Sequence, residues 1–287
     1  MIPLTLDAPA KVNLSLRVVR RREDGFHDLD SIFVLLDLAD RLLVMPGCSG
    51  LRVTDPDGAP VPDVPVRAGE NLAWRGLAAG LGGSPDDALA CLTLEKRIPS
   101  AAGLGGGSSD AAAGWRLGRR WVAADEPAQP DQLADLAAIG ADVPFFAAAV
   151  PAARVTGIGE RVAPLPAATG QVLLLVHPPF GLATRDVFAA ARPADWSADA
   201  PSSVREALEE GRNDLLPAAR RVRPDLDDLV ALVVAAGVAP RLTGSGPTLF
   251  AVLDDPDRAA GTVARLHRAG VRATTCAMRL AAASIHA

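Results

Sequence analysis

Apolar and polar positions alternate over residues 4–19, the period-two pattern of a strand, with Ala8-Pro9-Ala10-Lys11-Val12-Asn13-Leu14-Ser15-Leu16 at its centre. Residues 34–45, 51–54 and 90–94 predict further strands, so the chain begins β-rich. Helical character runs over 71–81, from a glycine-rich stretch at 103–107 to about Val122, and over 131–139. Strands are expected at 152–156 and 171–176, and helices at 184–191, 204–210 and 226–236, the last ended by Gly237. An apolar strand at 248–253, a helix at 256–269 and a strand at 271–279 follow. Strands and helices mix without a regular βαβ repeat, which predicts an α+β fold. The domain boundary is expected near residue 152, after an alanine run, giving domains 1–152 and 153–287. Pro/Ala/Asp-rich stretches at 55–65 and 192–202 predict surface loops.

Composition narrows the class. With 287 residues and 49% hydrophobic content the chain can bury real cores. It has no run of 18 uncharged apolar residues and no basic-then-apolar start, so neither a membrane span nor a secretion signal is expected, and a cytoplasmic location follows. Cys48, Cys91 and Cys276 show no metal or disulfide spacing and predict buried or idle thiols. A net charge of −5 argues against a nucleic-acid binder. One basic run, with Arg17, Arg20, Arg21 and Arg22, reads as a solvated strand end and turn or as a phosphate-steering patch. Of 29 basic residues only Lys11 and Lys96 are lysines. An ammonium is a compact point charge that reaches one oxygen in a space a guanidinium would overfill, which marks both as candidate site residues.

The run Ile98-Pro99-Ser100-Ala101-Ala102-Gly103-Leu104-Gly105-Gly106-Gly107-Ser108-Ser109-Asp110 joins a strand, a glycine loop and a helix start. Glycines bring backbone N–H groups up to an anion without Cβ interference, and the helix dipole adds positive potential there. Ser108, Ser109 and Asp110 are expected as helix caps. No lysine follows the last glycine as in a Walker loop, and the Rossmann spacing is absent. Asp142, between Gly140-Ala141 and Val143-Pro144-Phe145-Phe146, is a carboxylate in an apolar setting that calls for a partner, or else the cap of a turn before Pro144. Lys11, mid-strand among apolar residues, is the natural counter-ion. A neighbouring ammonium makes a carboxylate a weaker base, so the pair leaves open whether Asp142 abstracts a proton or orients a hydroxyl. A second glycine turn, Thr243-Gly244-Ser245-Gly246-Pro247, offers further amides.

The glycine loop resembles the second motif of the galactokinase, homoserine kinase, mevalonate kinase and phosphomevalonate kinase superfamily. The ordered set Pro9-Ala10-Lys11-Val12-Asn13-Leu14, Asp24-Gly25-Phe26-His27-Asp28-Leu29, the glycine loop, Gly140-Ala141-Asp142-Val143-Pro144-Phe145, Gly157-Ile158-Gly159-Glu160 and Thr243-Gly244-Ser245-Gly246 is similar to its branch of diphosphocytidyl methylerythritol kinases, over about residues 8–253. The resemblance implies a two-domain fold with the active site in the cleft between domains, and ATP and Mg²⁺ as cofactors. It makes Lys11 and Asp142 the catalytic pair. Lys96, Pro99, Gly103, Leu104, Gly105, Gly106, Gly107, Ser108 and Ser109 would bind ATP, with Ser108 or Ser109 as the Mg²⁺-side hydroxyl. Asn13, Phe26, His27, Phe188, Thr243, Gly244 and Ser245 would bind a cytidine diphosphate methylerythritol, His27 reading the base and Phe26 and Phe188 stacking on it. Phe26 stands where the family has tyrosine, so the ring face is kept and the hydroxyl lost. The partners implied are small molecules, with the chain a monomer or homodimer. A sister kinase acting on mevalonate, homoserine or a sugar, and a catalytically silent nucleotide- or RNA-binding module, are the competing readings. Phe26-His27 argues against the first, and Lys11 with Asp142 and the negative net charge against the second.

Overall fold

The computed structural model describes residues 2–67, 69–83, 90–122 and 129–286. Two sheets organise it. The first holds β1 (Leu4–Arg21), β2 (His27–Pro46), β3 (Gly50–Thr54), β4 (Ala90–Glu95), β5 (Ala152–Gly157) and β6 (Arg161–Pro164), ordered β3-β4-β2-β5-β6 with β1 also on β2. The long β2 makes this branching possible: it pairs with β1 along its length, with β4 through residues 41–46 and with β5 through residues 29–34. The second sheet is antiparallel, β10 (Arg272–Ala277), β7 (Val172–His177), β9 (Leu249–Leu253) and β8 (Arg241–Leu242) in that order.

The helices are α1 (Leu72–Leu81), α2 (Gly106–Trp121), α3 (Pro130–Ala137), α4 (Val143–Ala147), α5 (Thr184–Ala190), α6 (Val204–Glu210), α7 (Leu216–Val222), α8 (Leu226–Ala235) and α9 (Pro256–Arg268). Among the described residues no helix is long and apolar enough to cross a membrane.

The alternation in β1 has a direct structural meaning. Ala10, Val12 and Leu14 enter a core shared with Leu173, Leu175 and Phe250 of the second sheet. Lys11 and Asn13 take the opposite parity and face the cleft. A separate core packs α1 and α2 on the end of the first sheet, with Leu6, Leu42, Leu77 and Leu117 buried together. The two helices meet through glycine: a Cβ at Gly114 would lie 2.2 Å from the Ala73 carbonyl oxygen, and one at Gly76 would lie 1.9 Å from that of Ala111. That backbone approach carries the glycine loop, since α2 is the helix the loop opens into.

The strand expected from residue 152 forms, but it belongs to the first sheet. The change of sheet falls between Pro164 and Val172, beyond the expected boundary, because Ala152 and Val155 continue the first sheet's buried pattern against β2. After β10 the chain returns: Met278 bridges Leu36, and His286 bridges Thr5. The short α4, α7 and β6 were not expected from the pattern. Cys48 and Cys91, expected as separate thiols, are joined as a disulfide with Cα atoms 5.3 Å apart, since the turn after β2 folds back against β4. Cys276 is free and buried, its thiol pushed up to about 12, chiefly by burial.

Candidate active site

A cleft of about 1130 Å³ opens between the two sheets. Drug-sized ligand pockets reach roughly 1,000 Å³, so the cleft has room for two substrates. Its floor is the glycine loop. Gly103 has φ +76°, and a Cβ there would sit 2.6 Å from the Thr243 carbonyl oxygen, so glycine is what lets the loop touch the second glycine turn. Helix α2 starts at Gly106, with Gly105 in the left-handed region as its N-cap and no side-chain cap. Ser108, Ser109 and Asp110 therefore lie inside the first turns instead of capping it; the glycine geometry turns the chain before they are reached. Ser108 lines the cleft, whereas Ser109 is buried away from it.

Lys11 is tied to this floor by its backbone N–H, which donates to the Leu104 carbonyl at 2.9 Å. Its buried ammonium meets Asn13 Oδ1 at 2.6 Å, Asp142 Oδ2 at 3.3 Å and the Phe33 ring face at 4.7 Å. Asp142 occupies the N-cap position of α4 but makes no capping bond, so its carboxylate, 29% exposed, is left for Lys11 and the cleft. The turn Gly157–Glu160 backs this arrangement: Ile158 N–H donates to Glu160 Oε2 at 2.7 Å, and Gly159 packs against the Ala141 carbonyl.

Asn13 is buried with its amide engaged on both ends, accepting from Lys11 and donating to Ser31 Oγ at 3.0 Å. Thr243 is fully buried behind it, accepting the Asn13 backbone N–H at 3.1 Å. The expected contact of Thr243 with substrate is therefore not available; Gly244 and Ser245 line the cleft in its place. Asn213, which the sequence reading missed, holds this turn by donating to the Leu242 and Gly244 carbonyls, both at 2.8 Å. An Asn-Asp pair ahead of the apolar stretch at 215–219 was the available signal.

Lys96 lines the cleft but its ammonium is held by two carboxylates, Asp40 and, at 2.7 Å, Asp110. Asp40 in turn accepts backbone N–H groups of Arg97 and Ile98, the latter at 2.8 Å. Two carboxylates on one buried ammonium leave an excess negative charge away from water, and burial pushes Asp110 up to about 8. Burial works against the charge on Lys96 as well, but Asp110 and Asp40 outweigh it and raise its pKa. The cluster clamps the start of α2 to β2 and the end of β4. Asp40 was not singled out from sequence and Asp110 only as a helix cap, because the residues lie 56 and 14 positions from Lys96.

The far end of the cleft is aromatic. Phe26, at the tip between β1 and β2, is 60% exposed. His27 is buried, with Phe188 of α5 at 5.2 Å between ring centroids and Trp196 edge-on at 6.3 Å. Burial, then the charge of Arg21, lowers the His27 pKa, which favours the neutral imidazole. Thr184 Oγ1 and Ser245 Oγ lie 2.9 Å apart, joining α5 to the second glycine turn. Pro99, Gly103, Leu104, Gly105, Gly106 and Gly107 all line the cleft.

A non-Walker phosphate cradle with a lysine and an aspartate meeting at its edge, set between a mixed sheet and an antiparallel one, defines a small-molecule kinase of the GHMP type. The sequence profile described as GHMP kinases N terminal domain matches residues 71–149, and that described as GHMP kinases C terminal matches 198–272. The chain is 38% identical over 281 residues to 4-diphosphocytidyl-2-C-methyl-D-erythritol kinase of Paramagnetospirillum magneticum, covering 93% of this chain and 94% of the relative. It is also 38% identical to the enzyme of that name from Thermus thermophilus, covering 88% of each. A crystal structure of 4-(cytidine 5'-diphospho)-2C-methyl-D-erythritol kinase superposes with a TM-score of 0.76 at 36% identity, over 95% of this chain and 99% of that one. The chain belongs to the 4-diphosphocytidyl-2-C-methyl-D-erythritol kinase family. Homoserine kinase from Cytophaga hutchinsonii, at 16% identity and a TM-score of 0.66, shares the fold.

Proposed function

We infer that the chain uses ATP to phosphorylate the 2-hydroxyl of 4-diphosphocytidyl-2-C-methyl-D-erythritol, a step of the non-mevalonate route to isoprenoid precursors. The observation that carries this reading is the Lys11–Asp142 pair at 3.3 Å, set where the glycine loop meets the second glycine turn, with His27 and Phe188 in the same cleft. The glycine-loop amides and the start of α2 would grip the ATP phosphates. The acceptor oxygen would lie at the pair: Asp142 orients the hydroxyl and accepts its proton as the oxygen attacks the γ-phosphorus and ADP leaves. The Lys11 ammonium would stabilise the negative charge that develops on the transferred group. Asn13 holds that ammonium in place. At the other end, the neutral His27 imidazole offers one donor and one acceptor to a cytosine edge, and Phe26 and Phe188 offer ring faces.

Mg²⁺ fits the donors present. It characteristically keeps several waters and takes one or two protein oxygens besides phosphate, and among the described residues no cluster of three His, Cys, Asp or Glu stands ready to cage a metal. Ser108, the serine on the cleft side of α2, would be the hydroxyl that holds it. When bound, the ion would neutralise phosphate charge during transfer.

The test is ATP turnover with the diphosphocytidyl substrate, mevalonate and homoserine supplied in parallel. Turnover confined to the first is expected; equal turnover of the others without it would overturn the reading. Asp142→Asn should lower kcat by roughly 10²–10⁴-fold with ATP affinity largely kept, as calorimetry would check.

A further inference from the structure

The basic run at residues 17–22 divides in the fold. Arg17 Nε donates to the Ser197 carbonyl at 2.7 Å, Arg20 pairs with Asp28 at 2.6 Å, and Arg22 pairs with Asp24 at 2.8 Å and Asp28 at 3.5 Å. Arg21 differs: among the described residues it has no carboxylate partner, and it lines the cleft. It stands directly across the β1–β2 ladder from His27, close enough for its charge to act on that imidazole.

On the facing wall Arg185 of α5 also lines the cleft. It precedes Phe188 by three positions, which places both on one face of the helix. It follows Thr184, whose hydroxyl meets Ser245 of the second glycine turn. Its carboxylate neighbour is the adjoining Asp186 at 3.6 Å, and both side chains are exposed, a pairing that contributes little. The carboxylates that line the cleft are placed elsewhere: Asp63 and Glu70 precede α1, Asp110 is on Lys96 and Asp142 is on Lys11.

Two guanidiniums held by no buried carboxylate among the described residues, one from each wall, thus stand at the aromatic end of the stretch that runs to the Lys11–Asp142 pair, Arg21 level with His27 and Arg185 three residues before Phe188. The substrate inferred above has a diphosphate in that stretch of its own length, since the base is at one end and the acceptor hydroxyl at the other. We propose that Arg21 and Arg185 form a two-sided clamp on this diphosphate. A guanidinium presents paired N–H donors that match phosphate oxygens, and two cations balance the two charges of a doubly esterified diphosphate. The clamp rests on the function inferred above and adds to it the residues that read the link between base and acceptor.

Arg21→Ala/Arg185→Ala, compared with the corresponding double lysine variant, tests it. Both side chains are exposed, so neither substitution touches a core. In the alanine pair, KM for the diphosphocytidyl substrate should rise on the order of 10–100-fold, with the change concentrated in KM and little change in KM for ATP. The fall of kcat/KM with added salt should flatten, and lysine should restore part of the affinity. An unchanged substrate KM and salt dependence, or an equal rise in KM for ATP, overturns the clamp. A wild-type protein that does not turn over this substrate would instead count against the inferred function. Calorimetry with CDP and cytidine, the ATP site being saturated with a non-hydrolysable analogue, then decides the clamp separately. A wild-type preference for CDP that is lost in the alanine pair supports it, and an absent or undiminished preference refutes it.

Discussion

Lys11 and Lys96 are the chain's two lysines, and both ammonium groups are buried against carboxylates at the cleft. A guanidinium in either place would carry its fork into the packed glycine loop; a Cβ on Gly105 would already be 3.1 Å from the Lys11 stem. His27 adds a pH signature at the same scale. Its pKa is lowered by burial first and by Arg21 second, so the folded protein binds that proton less readily than the unfolded chain does. Protonation therefore works against the native site, and the loss begins as pH falls through about 6.5, the ordinary histidine value. KM for the diphosphocytidyl substrate should stay flat from pH 8 to below that value and rise only in more acidic solution. Arg21→Ala should move the rise toward neutral pH, with the His27 ring-proton titration followed by NMR shifting the same way. A His27 midpoint indifferent to Arg21 would contradict the electrostatic account.

At the scale of elements, the seat of α2 on α1 sets where the phosphate grip lies. Gly114→Ala would gain helix propensity worth about 1 kcal/mol but force a Cβ to 2.2 Å from a carbonyl oxygen, and overpacking costs typically 1–3 kcal/mol. A net loss of up to about 2 kcal/mol in urea denaturation is expected, with a raised KM for ATP as α2 shifts. Gly261 of α9 is the contrast: the nearest atom to its Cβ position is the end of the Arg265 side chain at 3.7 Å, so Gly261→Ala should stabilise by up to about 1 kcal/mol. These two glycines look alike in the sequence and differ only in what faces them. The same distinction marks what could be read in advance. β1 was legible because its period-two pattern separates Ala10, Val12 and Leu14 from Lys11 and Asn13, and the glycine loop because its composition admits few conformations. The Asp40–Lys96–Asp110 cluster, the burial of Thr243 and the service of Asn213 were not, because each depends on contacts between distant segments that carry no local period. The expected caps at 108–110 failed for a related reason: Gly105 ends the loop by its backbone, without a side-chain acceptor.

For the whole molecule, stability in acid should be set partly far from the cleft. His177, at the end of β7, bonds Thr274 Oγ1 at 3.1 Å through Nε2 while its Nδ1 is buried without a partner among the described residues. Burial, then the charge of Arg272, lowers its pKa to about 4. Between that value and 6.5 the unfolded chain takes up a proton that the native state refuses, so stability falls as pH falls across this window, by up to about 3 kcal/mol. Urea midpoints measured from pH 7 to pH 4 should show the decline, and His177→Gln should flatten it. The two sheets meanwhile share one hydrophobic core, in which Val12 and Ile32 pack with Leu175 and Phe250, and the chain passes between them twice, at 164–172 and again at 277–278. Walls fastened in this way cannot swing like jaws, because opening them would expose that core to water. The span from His27 to Asp142 is therefore a fixed gauge: on the function inferred above, a molecule would be chosen by whether its length brings the right hydroxyl to the aspartate once its base has found the histidine.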